Sequence, residues 1–218
     1  MKKSDALNAP FQPESFEFSD MKIVEEIFSR YPKGQIRSGI MPLLDMAQRQ
    51  VAVTGPYGDY PIGGGWIPRA AMDEIAKLCE VPKIKVYEVA TFYSMYNLQP
   101  VGKYLIQLCT TTPCWLCGSA DIVTACTDHL GIKLWETTAD AYFTLHEVEC
   151  LGACTNAPMI QMNDLYYEDL TAEKMVGILE SLKKDEIPPA GPQNGRTGSM
   201  ALTGPTSLAK QAKKAGVA

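Results

Sequence analysis

Four cysteines stand in two short pairs that could bind metal. The first pair is Cys109 and Cys114, in the segment Cys-Thr-Thr-Thr-Pro-Cys, and the second is Cys150 and Cys154, in the segment Cys-Leu-Gly-Ala-Cys. Thiolates are soft ligands that suit zinc and iron–sulfur clusters. Four of them fit either a [2Fe–2S] cluster or a four-thiolate zinc site, and their spacing alone leaves both open.

The remaining three cysteines offer other interpretations. Cys117 forms a C-x-x-C segment with Cys114, which is typical of thiol–disulfide exchange, but this interpretation leaves the other paired cysteines unexplained. Cys79 and Cys126 lie on apolar faces of predicted helices and are interpreted as buried structural thiols. Because the total of seven cysteines is odd and no secretory signal is visible, a disulfide framework is disfavoured.

Each cysteine pair follows a segment with the pattern of a strand. Residues 104–108 form a compact apolar run that ends at Cys109, and residues 143–149 alternate in polarity and end at Cys150. If the two strands lie side by side, the loops at one end of the sheet bring four sulfurs together. The sequence therefore predicts a four-thiolate site at the edge of a sheet.

Residues next to the cysteines fit such a site. Pro113 restricts the first loop, and Gly152 allows the second loop to bend closely around a ligand. Met159 and Ile160 follow the second loop and are candidates for an apolar lining. His146 precedes Cys150 and is interpreted as a residue of a surface strand.

The chain around these loops predicts a thioredoxin-like α/β unit over residues 101–186. Ser119 is expected to cap a helix that ends at Gly131, and Asn163-Asp164 signals a hairpin. Thr171 is expected to cap a last helix. The resulting order, β-α-β-β-α, is typical of a small α/β sandwich.

The remaining segments have different patterns. Residues 1–18 are rich in Pro, Phe and Ser and predict an extended arm, whereas residues 19–100 show helical periodicity broken by a Gly/Pro-rich loop insertion near 51–64. Residues 187–218 are rich in Pro, Gly, Ser and Ala and predict an extended tail. The predicted fold class is α+β, with a helical N-terminal domain before the thioredoxin-like one.

The composition of the chain argues against nucleic-acid binding and against direct membrane insertion. The net charge of −5 disfavours nucleic-acid binding, since a phosphate backbone would be repelled. No run of about 20 apolar residues is present, so direct membrane insertion is not expected. The N-terminus shows neither a signal-peptide core nor an Arg-rich transit helix, so either the chain is not imported or a presequence has been removed.

Several motifs together resemble one family. The sequence is similar to the thioredoxin-like [2Fe–2S] subunit of NADH:ubiquinone oxidoreductase, respiratory complex I, in its mitochondrial form. The resemblance runs from about Phe16 to Arg196. Its motifs include both cysteine segments together with Ala47-Gln-Arg-Gln50, Val89-Ala-Thr-Phe-Tyr93, Pro100-Val-Gly-Lys103, Asn156-Ala-Pro-Met159 and Tyr167-Glu-Asp-Leu-Thr171. The insertion at residues 51–64 and Cys117 depart from the family pattern.

The resemblance implies a cofactor and its ligands. It assigns one [2Fe–2S] cluster to Cys109, Cys114, Cys150 and Cys154, and it leaves Cys117 as a bystander thiol. It also implies that FMN and NADH bind to a neighbouring flavoprotein subunit, with which this cluster exchanges single electrons. The chain itself has no Gly-rich dinucleotide fingerprint, so no NADH or FMN site and no acid–base catalytic residues are expected here.

The resemblance further implies a setting. The expected partners are the flavoprotein subunit and the adjacent large iron–sulfur subunit of complex I. The expected location is the matrix side of the mitochondrial inner membrane, in the peripheral arm. Diaphorase subunits of NAD-linked hydrogenases and formate dehydrogenases share the motifs and remain the alternative setting, followed by a zinc-stabilised binding module.

Overall fold

The computed structural model describes residues 12–54, 65–204 and 206–216. The chain divides into two compact units, Met1–Lys103 and Tyr104–Ala218. The described part of the first unit is built from helices, and the second combines a sheet with helices. The predicted α+β class is therefore confirmed.

The described part of the first unit has four helices, and the sequence patterns predict each of them. Asp20 caps the first helix by accepting hydrogen bonds from two backbone N–H groups, as its position before an apolar stripe predicts. The 3₁₀ turn Ile36–Gly39 precedes the second helix. The four helices are α1 (Met21–Ser29), α2 (Ile40–Thr54), α3 (Arg69–Leu78) and α4 (Lys83–Phe92).

The core of the first unit lies between these helices. Its buried side chains come mainly from α2 and α3 and include Leu43, Leu44, Ala47, Met72 and Ile75. In α4 the buried residues are Val86 and Ala90. Phe92, the last residue of α4, is 80% exposed because it lies on the opposite face of the helix.

Two segments predicted as a loop and an extended arm contain helical or packed residues. Helix α2 continues through Thr54, so residues 51–54 of the predicted insertion are helical, and residues 55–64 lie outside the described part of the chain. Within the predicted N-terminal arm, Phe16 and Phe18 stack edge to face at 5.2 Å and pack on the helical core. Their rings bury apolar surface that an extended arm in water would leave exposed.

The second unit is organised by a five-stranded sheet of order β2-β1-β3-β4-β5. The first strand is parallel to β2 and antiparallel to β3, and β4 is antiparallel to β3 and parallel to β5. Asn163 adopts the left-handed conformation between β3 and β4, which confirms the predicted hairpin. The strands are β1 (Tyr104–Cys109), β2 (Phe143–Val148), β3 (Ile160–Met162), β4 (Leu165–Glu168) and β5 (Gly191–Pro192).

The helices of this unit are α5 (Thr112–Leu116), α6 (Ser119–Leu130), α7 (Ala172–Lys183) and α8 (Ala209–Lys214), and a 3₁₀ turn covers Cys154–Asn156. Thr171 caps α7 with its side chain, as predicted. Ser119 does not cap α6; Gly118 does so with its backbone in the left-handed region, and Ser119 is buried as the first helical residue. None of the described helices is long and apolar enough to cross a membrane.

The predicted C-terminal tail begins with ordered structure. Gly191–Pro192 form β5 beside β4, and the N–H of Gln193 donates to the carbonyl of Glu168 over 2.9 Å. The hairpin leaves the outer edge of β4 with unpaired backbone groups, and the Gly/Pro-rich segment satisfies part of them. Composition alone gave no signal for this pairing.

Candidate metal centre

The first cysteine pair lies where β1 passes into α5. Cys109 is the last residue of β1, and Cys114 lies within the single turn of α5. Pro113 occupies the first turn of this helix, where a missing N–H group leaves no hydrogen bond unmade. Only 2% of Cys109 and 1% of Cys114 are exposed. The strand end and the helical turn therefore hold two enclosed sulfurs.

The second pair lies in the loop after β2. The Sγ atoms of Cys150 and Cys154 are 3.4 Å apart, and both residues are exposed. Between them Gly152 has φ of 89°, in the left-handed region that favours glycine. The hydroxyl of Tyr166, on β4, donates a 2.8 Å hydrogen bond to the carbonyl of Leu151. The loop is thus bent by its glycine and tied to the sheet.

The two loops meet because β1 and β2 are parallel neighbours. Their register pairs Cys109 with Val148, so both strands end at the same edge of the sheet. The hydroxyl of Thr110 donates a 2.7 Å hydrogen bond to the carboxylate of Glu147, which joins the two strand ends directly. The predicted side-by-side placement of the two strands is confirmed.

Hydrogen-bond donors converge on the sulfur of Cys109. Burial raises the pKa of this thiol, but interactions with the Thr111 hydroxyl, whose oxygen lies 3.4 Å from the sulfur, with the backbone of Leu151 and with the thiol of Cys114 lower it, and the pKa is lowered overall. Leu151 belongs to the second loop, so the donors come from both loops. Such donors stabilise a thiolate, which is the form that binds metal.

The four sulfurs interact as two pairs. Burial, followed by the hydrogen bond with Cys109, raises the pKa of Cys114 to about 12, and the charge of Cys154 contributes to this rise. The pKa of Cys154 is raised first by its hydrogen bond with Cys150 and then by burial, with a contribution from the charge of Cys109. The two sulfurs of the second pair are in direct contact at 3.4 Å, and charge acts between the two pairs.

This pairing differs from the geometry of a single-ion site. A tetrahedral zinc site needs four ligands around one centre. A [2Fe–2S] cluster with four thiolates has two irons and therefore takes two sulfurs at each. The arrangement in two pairs suits the binuclear group.

A match to a family model decides between a zinc protein and an iron–sulfur protein. The model of the thioredoxin-like [2Fe–2S] ferredoxins matches residues 24–183. The chain belongs to the thioredoxin-like [2Fe–2S] ferredoxin family. The predicted thioredoxin-like fold and the predicted cofactor, one [2Fe–2S] cluster, are thereby confirmed.

Curated relatives are similar in sequence to this ferredoxin over most of its length. A subunit of the NADH-quinone oxidoreductase of Rickettsia felis is 52% identical over 171 residues, which cover 78% of this chain and 95% of the relative. The mitochondrial NADH dehydrogenase [ubiquinone] flavoprotein 2 of Dictyostelium discoideum is 42% identical over 214 residues, covering 94% of this chain and 82% of the relative.

A solved structure shares the fold. A chain of the NAD⁺-reducing [NiFe]-hydrogenase in its H₂-reduced state matches 69% of this ferredoxin with a TM-score of 0.55 and 19% sequence identity. The match covers 23% of the hydrogenase chain, so this ferredoxin corresponds to a small part of that protein.

The surroundings of the sulfurs fit the ferredoxin cofactor. Met159 is buried against Cys109 and Cys114, as the predicted apolar lining requires, while Ile160 is buried in β3. Partly buried side chains from the second loop and from β4 pack against these three buried residues. They are Leu151, Ala153, Ala157 and Tyr166. The first cysteine pair is therefore enclosed by apolar side chains, whereas the second pair is exposed to solvent.

The other three cysteines lie apart from this arrangement or at its margin. Cys79 and Cys126 are buried, and burial raises their pKa to about 11 and about 12, as expected of structural thiols. Cys117 is exposed at the end of α5. For thiol–disulfide exchange Cys114 would need an accessible, acidic thiol, but it is buried with a raised pKa.

Neither histidine joins the thiols. His146 lies in β2 with its ring 4.6 Å from that of Trp135, which fits the predicted strand position. The Nε2 atom of His129 is 2.6 Å from a carboxylate oxygen of Glu180, on α7.

Several residues of the site are not predicted by the sequence. Thr110, Glu147 and Tyr166 hold the two loops through hydrogen bonds between segments far apart in the chain. Hydroxyl and carboxyl groups at strand ends are common, so their types alone carry no signal of this role. Trp115, next to Cys114, is 63% exposed and does not shield the buried pair.

Proposed function

We propose that Cys109, Cys114, Cys150 and Cys154 hold the [2Fe–2S] cluster of this ferredoxin. The observation that carries the assignment is their convergence as two pairs at the ends of two parallel strands, joined by the Thr110–Glu147 hydrogen bond. The apolar cluster around Met159 and the donors aimed at Cys109 support it.

The chain then acts as an electron-transfer subunit of NADH:ubiquinone oxidoreductase. Two relatives with 52% and 42% identity carry the names of NADH-quinone oxidoreductase and mitochondrial NADH dehydrogenase subunits, and they support this role. The cluster supplies one-electron transfer without proton or group transfer. With the cluster held by its four cysteines, this chain would exchange single electrons with the FMN of the neighbouring NADH-binding flavoprotein subunit.

The residues of this chain set the conditions for that transfer. Met159 and its apolar neighbours exclude water from the first pair, which disfavours added negative charge and lowers the reduction potential. The backbone of Leu151 and the hydroxyl of Thr111 lower the pKa of Cys109, which favours negative charge on the sulfur and acts in the opposite direction. No acid, base or nucleophile of this chain takes part.

The same relatives support a setting for this subunit. The partners are the flavoprotein subunit and the adjacent large iron–sulfur subunit of complex I. The location is the peripheral arm, on the matrix side of the mitochondrial inner membrane, which the mitochondrial relative supports. Reduction of ubiquinone and proton translocation belong to the whole complex rather than to this chain.

Native electrophoresis of tagged protein from its own cells tests this role. The tag is expected in a band of very high mass that stains for NADH dehydrogenase activity. Migration only as a free protein, or in a band that stains for hydrogenase, would contradict the assignment to complex I.

A second candidate is the diaphorase subunit of an NAD-linked hydrogenase or formate dehydrogenase. The shared fold with the NAD⁺-reducing hydrogenase favours it. The same gel separates the two, since a hydrogenase or formate dehydrogenase stains with its own substrate, H₂ or formate. A zinc-stabilised binding module would give neither activity.

A further inference from the structure

We propose that Arg196, in segment 191–198, is a positioning residue for the second cysteine pair; this inference rests on the proposed function. The family model matches residues 24–183, so it assigns no role to segment 191–198. The guanidinium does not touch a sulfur. It acts through the backbone and side chains that follow Cys154.

Arg196 makes a bidentate ion pair with Asp169. Its Nε atom is 2.9 Å from Oδ2 of that carboxylate, and Nη2 donates to Oδ1. The two side chains are only 15% and 7% exposed. A partly buried, bidentate pair of this kind has defined geometry, because the two parallel hydrogen bonds orient the guanidinium against the carboxylate.

The same guanidinium reaches the loop that carries Cys154. Its Nη2 atom also donates to the carbonyl of Thr155, at 3.3 Å. Thr155 is the residue directly after Cys154, within the 3₁₀ turn. The position of this turn is therefore coupled to the Arg196–Asp169 pair.

Asn156 fixes the other side of the turn. This residue is 1% exposed, and its Nδ2 atom donates to Glu168 over 2.7 Å and to the carbonyl of Gly198 over 2.9 Å. Its own carbonyl accepts a 2.8 Å hydrogen bond from the N–H of Asp169. The turn after Cys154 is thus held between the end of β4 and segment 191–198.

Segment 191–198 is itself anchored to the sheet. Gly191–Pro192 pair with β4, and the N–H of Arg196 donates to Oδ1 of Asn194 over 3.0 Å. The backbone that carries the Arg196 side chain is therefore held in a defined position. Groups that orient metal ligands in this way commonly change metal retention by about tenfold to hundredfold when removed.

The test compares variants of the full chain with the cluster bound. Arg196→Gln removes both contacts, whereas Arg196→Lys keeps the charge without the bidentate geometry. Lys213→Gln, in α8, removes a charge from an exposed residue of the same C-terminal region. The readouts are the rate of cluster loss to an iron chelator and the g-values of the reduced cluster in EPR.

Arg196→Gln is expected to lose the cluster about tenfold faster than the wild type and to change the g-values. The rate of cluster loss from Arg196→Lys should lie between those of the wild type and Arg196→Gln. Lys213→Gln should lose the cluster at the rate of the wild type. The Asp169→Asn/Arg196→Gln double variant removes both charges. It should still lose the cluster quickly, because the contact with Thr155 remains broken.

If Arg196→Gln does not accumulate, Asp169→Asn provides the same readouts, since it breaks the same ion pair. Cluster loss and g-values equal to those of the wild type in these variants would overturn the positioning role while leaving the proposed function intact. A wild-type protein that binds no cluster would instead overturn the proposed function, and this inference with it.

Discussion

The hydroxyl of Thr110 donates a 2.7 Å hydrogen bond to the carboxylate of Glu147, and this contact joins the ends of the two strands that lead into the cysteine loops. Cys109 directly precedes Thr110, and Cys150 follows Glu147 by three positions. A change in the relative position of the two strand ends would therefore separate the two cysteine pairs.

Thr110→Val removes this hydroxyl with little change of shape. We expect cluster loss to a chelator to become about tenfold faster, because the strand ends lose a direct link. The free energy of unfolding should fall by only about 1 kcal/mol, the usual net value of one hydrogen bond. Thr124→Val is the matched control, since its hydroxyl bonds to the carbonyl of Ala120 within α6. Equal cluster loss in both variants would contradict the linking role.

Gly152→Ala tests the bend of the second loop. Space around a new Cβ atom is open, but φ of 89° is a conformation that alanine rarely adopts. We expect a loss of about 1 kcal/mol in stability and faster cluster loss. Gly177→Ala is the control; it also meets open space, lies inside α7 and should stabilise the protein by about 0.5–1 kcal/mol. Cluster retention is measured by visible absorbance in the presence of a chelator.

Much of this arrangement can be predicted from local sequence patterns. The apolar run before Cys109 and the alternation before Cys150 predict the two strands, and both are observed. The Asn163-Asp164 turn predicts the hairpin, and Thr171 predicts the start of α7. These signals are local, because each depends on turn chemistry or periodicity within a few residues.

Other features depend on contacts that a linear pattern does not contain. Helix α5 is a single turn in a Thr/Pro-rich segment, so it is too short to show periodicity. The pairing of Arg196 with Asp169 joins residues 27 positions apart, and the surrounding Gly/Pro-rich composition predicts a free tail. Phe92 is an apolar residue of α4 that lies on the exposed face of the helix, and its residue type gives no signal of that position.

Replacement of single cysteines tests the ligand assignment. Cys114→Ala and Cys154→Ala should each abolish the EPR signal of the reduced cluster, since each removes one of two sulfurs from an iron. Cys117→Ala is the matched control, because Cys117 is exposed at the end of the same short helix as Cys114. Its signal should be unchanged. Loss of the signal in Cys117→Ala would mean that a ligand has been misassigned.

The helical unit should lose stability in acid through Asp73. Burial raises the pKa of this carboxyl, but hydrogen bonds from Lys83 and Tyr87 outweigh it and leave the pKa below its ordinary value of 3.8. Because the pKa is lower in the folded state, the stabilisation is fully present above pH 3.8 and is lost as the pH falls through the folded-state pKa.

Asp73→Asn should therefore destabilise α3 and α4 by about 1 kcal/mol near pH 7, since solvent screens the partly exposed pair, and the difference from the wild type should shrink below about pH 4. Hydrogen exchange of the amides in these helices measures this in the helical unit alone. Glu26→Gln, in an exposed ion pair with Arg30, is the control and should change the same amides by less than about 0.5 kcal/mol. A difference for Asp73→Asn that does not depend on pH would contradict the assignment.

The central claim is that four thiolates hold a binuclear iron–sulfur cluster. Determination of iron, acid-labile sulfide and zinc in the purified full-length protein tests it most directly. The account predicts iron and sulfide in equal amounts, about two of each per chain, with no stoichiometric zinc. About one zinc ion per chain without acid-labile sulfide would contradict it.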